Sequence, residues 1–293
     1  MKVSVLIITK DRPTSLARTV QSLLTGSTKP KEIIVIDSSR DNSSKQILLK
    51  LSYRISMPII YRKIKSRGIN YSLNKGIKLC RSEIIAKIDD DEYAHHDWIK
   101  TIIQIFSQHP SLAATTGPVY PTKPENYWNR IWQEIFTESY TFSGPTPFVY
   151  GSNAAYKREI FTKAHFYFDE RIRSFASEDT YISQKIINAG LQIYHDHKII
   201  VFHDFRTSCF SFLKQWTNYG ISDSQLFRYY PSLYKNTQTS HGGFLAIISI
   251  TARKAVYWKN VSRKIELIPG LLLRTLAYLF GVCYGILTKR HHL

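Results

Sequence analysis

At 293 residues the chain can bury a large core and stands near the size at which one α/β domain gives way to two. Its 40 Lys and Arg against 22 Asp and Glu leave a formal charge of +18, which favours an anionic partner such as nucleic acid, a phosphorylated substrate or acidic lipid. Three cysteines, Cys80, Cys209 and Cys283, show no metal-ligand spacing and argue against a disulfide framework, so they read as reduced thiols in a cytosolic setting.

An apolar strand pattern begins right after Met1-Lys2, which leaves no room for a leader peptide, and the catalytic part is expected in the cytoplasm. Val3 to Ile8 is a β-branched run, and Thr14 to Leu24 carries apolar residues at helical spacing behind Pro13. Ile33 to Ile36 reads as a second strand ending at Asp37 in a Ser/Asp/Asn-rich loop. A helix follows near Ser44 to Leu51, then an apolar segment from Pro58 to Tyr61 and a helix from Tyr71 to Leu79. Ile84 to Ile88 is a strand that runs into Asp89-Asp90-Asp91, and Trp98 to Ser107 is a helix closed before Pro110. Alternating β and α elements imply a mainly parallel sheet flanked by helices, whose ligands bind outside the carboxyl ends of the strands. Asp37 and the triple Asp fall there.

From Ala114 to Tyr150 the periodicity weakens, and loops with short elements are expected. Trp128 and Trp132, four apart, suit one helix face. Helical spacing returns at Asp179 to Ala189 with Gly190 as its C-terminal cap, and Ile199 to Phe202 is a strand leading into His203.

Three adjacent carboxylates repel one another and destabilise a fold unless cations or hydrogen-bond donors neutralise them. A bound metal is the simplest remedy, the plainer alternative being a solvated acidic turn. Mg²⁺ and Mn²⁺ prefer oxygen ligands and are commonly held by one or two carboxylates together with substrate phosphates.

Val3 to Arg12, Val35 to Asp41, Gly68 to Asn74 and the triple Asp resemble the family-two, inverting GT-A glycosyltransferases, and the resemblance spans about residues 2 to 225. It implies a GT-A, Rossmann-like catalytic domain over 1–225, with a nucleotide-binding half at 1–115 and an acceptor-binding half at 116–225. A helical tail over 226–293 completes the expected organisation. It further implies that Asp37 contacts the nucleotide base, that Thr9, Lys10 and Asp11 border the nucleotide, and that Asp89, Asp90 and Asp91 bind ribose and metal. The Arg-Asn pair usual after the Gly68-type glycine is Leu73-Asn74 here, with Arg67 as a stand-in for the missing arginine.

Gly151-Ser152-Asn153-Ala154-Ala155 resembles the family's acceptor-side loop, and Ser177-Glu178-Asp179 its Glu-Asp motif. Inversion by direct displacement needs one general base, assigned to Asp179 with Glu178 beside it. Apart from the resemblance, both read as ordinary helix N-terminal carboxylates. Val201 to Arg206 resembles a segment whose His, here His203, reaches the metal while Arg206 faces the diphosphate. Phe212 to Gly220, with Gln215, Trp216 and Tyr219, resembles a stretch that closes over the donor, although an aromatic core helix accounts for it equally well.

Leu267 to Leu287 is the most apolar stretch, 21 residues interrupted by Pro269, Gly270, Arg274, Gly281 and Gly285. Flanked by Arg263, Lys264, Lys289 and Arg290, it suits an interfacial helix or hairpin on an anionic leaflet better than a buried core helix or a span. The expected location is the cytoplasmic face of the membrane, peripheral or monotopic, with a glycan or lipid-linked acceptor and UDP as the default donor nucleotide. The charge alone also fits a nucleic-acid binder, but no nucleic-acid motif or dense Lys/Arg run is present. A two-carboxylate glycoside hydrolase would not need a triple Asp at a nucleotide-type crevice.

Overall fold

The computed structural model describes residues 1–52, 57–172, 176–231 and 264–288. The first half alternates as expected: β1 (Val3–Thr9), α1 (Pro13–Thr25), β2 (Glu32–Asp37), α2 (Ser43–Ser52), β3 (Ile59–Lys63), α3 (Ile69–Ile77) and β4 (Ile84–Ile88). These strands pair in parallel in the order β3-β2-β1-β4. Every residue of β2 and β4 is buried, the pattern of strands covered on both faces, which is why they read as apolar runs, broken in β4 by Lys87. The chain builds β2 and β3 on one side of β1 and then returns to place β4 on the other. That reversal opens a crevice at the carboxyl ends of β1 and β4.

The chain continues through β5 (Glu92–Ala94), α4 (Trp98–Gln108), β6 (Leu112–Thr116), β7 (Val119–Pro121), α5 (Tyr127–Phe136), β8 (Ser143–Pro145), β9 (Asn153–Lys157) and α6 (Glu159–Thr162). Then come α7 (Glu178–Asn188), β10 (Gln192–Asp196), β11 (Val201–His203), α8 (Cys209–Tyr229) and α9 (Ile268–Leu287). The main sheet has eight strands in the order β3-β2-β1-β4-β9-β6-β10-β8, with β9 antiparallel to both β4 and β6. A smaller sheet, β5-β11-β7, carries the continuation of the acidic segment.

One expectation is corrected here. The segment from Gly151 onward is not a loop throughout, because Asn153–Lys157 is a strand in the middle of the main sheet. Its Asn-Ala-Ala-Tyr-Lys sequence holds no β-branched residue, so local propensity is silent and its two partner strands decide. The weakly periodic region after Ala114 also contains α5, a helix of ten residues, whose Asn126 cap accepts hydrogen bonds from the N–H groups of Trp128 and Asn129. Gly190, by contrast, has the positive φ of 72° that its capping role requires.

The chain forms two compact units. One comprises Met1–Tyr120, Glu138–Arg173 and Glu178–Asp204, and holds both sheets; the other comprises Pro121–Thr137, Ser174–Ser177 and Phe205–Leu293. No single cut at residue 225 separates them, since α5 belongs with the C-terminal helices. In the helical unit Trp132 stacks on Phe205 and Trp216, with ring centroids 4.7 and 4.9 Å apart. Helices α8 and α9 approach through small residues: Gly220 faces Tyr278 and Val282, Gly281 faces Thr217, and Gly285 faces Ile221 and Ser224. These pairings advance in the same direction, so the two helices run parallel.

A Cβ at Gly281 would lie 2.0 Å from the Thr217 carbonyl oxygen, a backbone atom that cannot step aside. Gly281→Ala is therefore expected to cost about 1–3 kcal/mol by forcing the helices apart. Urea unfolding of the purified variant measures this, and a midpoint equal to the parent's would contradict the close packing.

Candidate active site

The Asp cluster lies where β4 ends, and each carboxylate has a partner of its own. Lys87 Nζ donates to Asp89 Oδ1 at 2.8 Å. Arg12 Nη1 bridges Asp90 Oδ1 and Asp91 Oδ2 at 2.9 and 2.7 Å, and the Thr9 hydroxyl donates to Asp90 Oδ2 at 2.7 Å. His203, brought in by the pairing of β11 with β5, sets Nε2 3.3 Å from Asp91 Oδ1. Glu92 is fully buried and closes the turn by accepting the Asp89 N–H at 2.8 Å.

This crowding moves the titrations. Burial raises Asp90 to about 6 despite the opposing charge of Arg12. Burial likewise pushes Glu92 well above the usual carboxylate range, with Asp89 adding to it. For His203 burial alone would lower the pKa, but the hydrogen bond and charge of Asp91, backed by Glu92 and Asp89, raise it to about 9. Arg12 and Lys87 supply positive charge to the acidic cluster from the chain itself, beside whatever a bound metal would add. Neither Arg12 nor Lys87 stood out in sequence as a site residue, although Arg12 follows the Lys10-Asp11 pair directly.

The residues nevertheless suit a sparsely held divalent cation. Among the described residues no three His, Cys, Asp or Glu side chains are grouped as a metal cage. Asp89 is the most exposed of the triple, its side chain 35% accessible, and Asp91 and His203 lie together beside it. A cation there would take its remaining ligands from phosphate oxygens, as Mg²⁺ and Mn²⁺ sites commonly do.

At the carboxyl ends of β1, β2 and β3 a cavity of about 730 Å³ is lined by Lys10, Arg40, Lys63 and Lys65, with Asp11 and Ser39. Four cations against one carboxylate make it a receptor for an anion, and its size suits a nucleotide. Asp11 takes a positive φ of 56° there, a conformation that costs energy for a non-glycine residue and that is held by Ser39 and Arg40.

Several residues expected at the ligand are instead buried supports. Asp37 is completely buried, accepting the Ser39 N–H and the Tyr61 hydroxyl at 2.6 Å each, so it orders the cavity wall from behind. Asn74 clamps the backbone of Phe168 through both its amide atoms and reaches Glu170 at 3.0 Å. Asn153 is likewise fully buried, accepting from Trp98 Nε1 and donating to the carbonyls of Pro118 and Ile199. Both N–H donors of this amide and one lone pair of its oxygen are used inside the fold, and the side chain is buried away from an acceptor sugar. Arg67 is exposed, its guanidinium 5.3 Å from the Tyr71 ring centre, and Arg206 is exposed in the helical unit.

The Glu-Asp motif opens α7, and its two carboxylates differ sharply. Glu178 is buried. Asp179 is half-buried, with Oδ1 accepting its neighbour's N–H from Thr180 at 2.7 Å and Oδ2 accepting the Gly151 N–H at 3.2 Å. Burial first, and the charge of Asp179 second, raise Glu178 from the ordinary 4.5 to about 8, against the pull of Lys87. Glu178 therefore holds its proton more tightly than an ordinary carboxylate, whereas Asp179 is the more accessible of the two.

The profile of glycosyl transferase family 2 matches residues 4–164. A curated relative, the glucosyl-dolichyl phosphate glucuronosyltransferase of Haloferax volcanii, is 29% identical over 170 residues, covering 55% of this chain and 54% of its own. The chain thus spans about half the length of that relative. Among solved structures, the mannosyltransferase PcManGT of Pyrobaculum calidifontis, in complex with GDP-Man and Mn²⁺, superposes with a TM-score of 0.69 at 13% identity, covering 99% of this chain and 88% of its own. TarS 1-349 of S. aureus gives 0.60 at 16%, covering 82% and 67%, and GalNAc-T7 with UDP, GalNAc and Mn²⁺ gives 0.59 at 14%, covering 87% and 55%. The fold is that of the GT-A glycosyltransferases.

The raised pKa of Glu178 has a stability consequence. The folded chain holds this proton between pH 4.5 and about 8 while the unfolded chain has released it, so the contribution is complete below 4.5 and disappears as pH rises through about 8. Glu178→Gln should remove a slope of up to about 1.4 kcal/mol per pH unit in that window. Denaturant unfolding at pH 5, 6.5 and 8 reads it, and parallel pH profiles for parent and variant would refute the assignment.

Proposed function

The chain belongs to glycosyl transferase family 2, and on that footing we propose a metal-dependent, inverting transfer of a sugar from a nucleotide-sugar donor to an acceptor hydroxyl. The observation that carries this reading is the basic cavity, joined through the consecutive residues Asp11 and Arg12 to the carboxylate cluster. Lys10, Arg40, Lys63 and Lys65 offset the charge of a bound nucleotide diphosphate, with UDP as the first candidate. Asp91 would hold Mn²⁺ or Mg²⁺ with Asp89 and His203 beside it, which the Mn²⁺ in two of the structural neighbours supports. Bound there, the cation acts as a Lewis acid on the departing diphosphate. Thr9 holds Asp90 against β1, and Arg206 is assigned to the diphosphate as a further positive charge.

Asp179 takes the proton of the acceptor hydroxyl as that oxygen attacks the anomeric carbon, while Glu178 remains protonated beside it. The Gly151 N–H orients Asp179 Oδ2, which gives Gly151 its place on the acceptor side.

The acceptor is assigned to a membrane lipid carrier. The H. volcanii relative is named for a dolichyl phosphate substrate, and α9 presents an apolar face that supports the same location. Leu271, Tyr278 and Val282 pack inward, and Leu272, Leu276, Leu279 and Phe280 stay exposed. Arg274, the one charge within α9, is buried with its guanidinium 4.0 Å from the Trp216 ring centre, so the outer face is free of charge. With one face packed within its unit, and with Pro269 and Arg274 interrupting it, α9 is assigned to the membrane interface. Of the basic flanks, Lys264 is tied to Glu134 at 2.8 Å, while Arg263, Lys289 and Arg290 lie outside the described residues. The product would enter cell-surface glycan or glycolipid synthesis from the cytoplasmic face.

Two substitutions separate donor binding from chemistry. Asp91→Asn should weaken Mn²⁺-dependent binding of UDP or GDP, read by calorimetry. Asp179→Asn should leave that affinity unchanged and lower kcat by about 10²- to 10⁴-fold, with Glu178→Gln retaining turnover. Parental nucleotide affinity in Asp91→Asn would remove the metal assignment, and parental kcat in Asp179→Asn would remove the base.

For the membrane, the Leu276→Glu, Phe280→Glu double variant should lose co-sedimentation with phosphatidylglycerol vesicles while keeping its circular dichroism. Retained sedimentation would sink the interfacial reading of α9.

A further inference from the structure

One residue of β4 does not belong to a core strand. Lys87 lies on the same face as Ile85, and its side chain passes the apolar groups of Leu6, Tyr156 and Phe168. It is only 3% exposed. An ammonium there is costly unless fully paired, and Lys87 Nζ donates to Asp89 Oδ1 at 2.8 Å and to the carbonyl of Gly151. Gly151 in turn donates its N–H to Asp179 Oδ2 at 3.2 Å. A single lysine and the backbone of one glycine thus connect the acidic cluster to the Glu-Asp motif. The connection has little slack, since a methyl group at Gly151 would meet Asp179 Cβ and Glu178 Oε1 at 3.1 Å each.

Relief of the repulsion at Asp89 is part of this arrangement, but stability alone does not require a lysine buried this deeply. Replacing a buried ion pair by apolar groups is often neutral or stabilising, and Asp89, with 35% of its side chain accessible, can be solvated without its partner. A methionine would fill the same space without the charge. The geometry points to Lys87 as a positioning residue for sugar transfer, holding Asp89 on the donor side and, through Gly151, Asp179 on the acceptor side in one rigid frame. It rests on the reading of Asp179 as the base. Transfer requires the acceptor oxygen and the anomeric carbon to approach within near-attack distance, and a misplacement of about 1 Å can lower the rate about 10²-fold. A link between the two sides therefore acts on kcat more than on the affinity for either half.

The experiment is a double-mutant cycle between Lys87→Met and Asp179→Asn in the full-length protein, with kcat for transfer and Kd for the Mn²⁺–nucleotide complex measured on each. Lys87→Met is expected to remain folded and to lower kcat by about 10²-fold, a larger change than in its Kd for the Mn²⁺–nucleotide complex. Because Lys87 works through Asp179, the double variant should be no more than about threefold slower than Asp179→Asn alone. A parental kcat in Lys87→Met, or a double variant whose defect is the product of the single ones, overturns the link. Should Lys87→Met fail to fold, Gly151→Ala tests the same connection with the lysine in place. By pressing on Asp179 it should lower kcat at least about tenfold without changing nucleotide affinity, and a parental kcat there overturns the proposal as well. A parental kcat in Asp179→Asn would overturn the base assignment itself, whereas a slow Asp179→Asn beside a parental Lys87→Met would overturn only the role of Lys87.

Discussion

Four acidic residues in a row, Asp89 to Glu92, end a completely buried strand, and the mutual repulsion of their charges is the constraint around which the first unit is arranged. Each neighbour that relieves it arrives on a different element. Thr9 comes with β1, Arg12 just ahead of α1, Lys87 from within β4, and His203 on β11. The pairing of β1 with β4 and of β5 with β11 therefore has an electrostatic as well as a packing rationale. Glu92 is accommodated differently, by a burial-raised pKa and a backbone hydrogen bond. The result is a cluster that is nearly neutral by itself yet presents carboxylates, chiefly Asp89, toward solvent.

The same segregation of charge organises the rest of the site. The basic cavity lies at the ends of β1 to β3, next to and not within the acidic cluster, so a ligand with a diphosphate has cations on one side and carboxylates on the other. A phosphate carrying a divalent cation would meet both. At the motif opening α7, burial separates two like functional groups: Glu178 is buried and its pKa is raised, while Asp179 is half-exposed.

In the helical unit the governing constraint is close approach. Gly220, Gly281 and Gly285 let α8 and α9 touch backbone to backbone, and that contact turns Arg274 inward onto Trp216. Burying the cation on the packed side leaves an uninterrupted apolar surface on the other. The small residues and the arginine, which look like defects in an apolar stretch, are what make its two faces different.

Much of this molecule was legible in one dimension. Apolar runs are long where strands are covered on both faces, so β1, β2 and β4 and the acidic cluster at the end of β4 could be read from spacing, and with them the crevice. The capping glycine at 190 and the helices at Pro13 and Glu178 are likewise local signals. What only tertiary structure decided is the destination of each polar side chain. Asn153 and Asn74 have the composition of ligand contacts, yet their amides are used by backbone groups tens of residues away, at Pro118, Ile199 and Phe168. Asp37 turns out to support the cavity wall, and β9 exists because β4 and β6 flank it. Arg12 and Lys87 were unremarkable as residues of a +18 chain until the fold set them 2.7 to 2.9 Å from the carboxylates they neutralise. Periodicity encodes which face of an element is buried; it carries no information about which distant group a buried donor or charge will meet, and that pairing is what turns a strand end into a site.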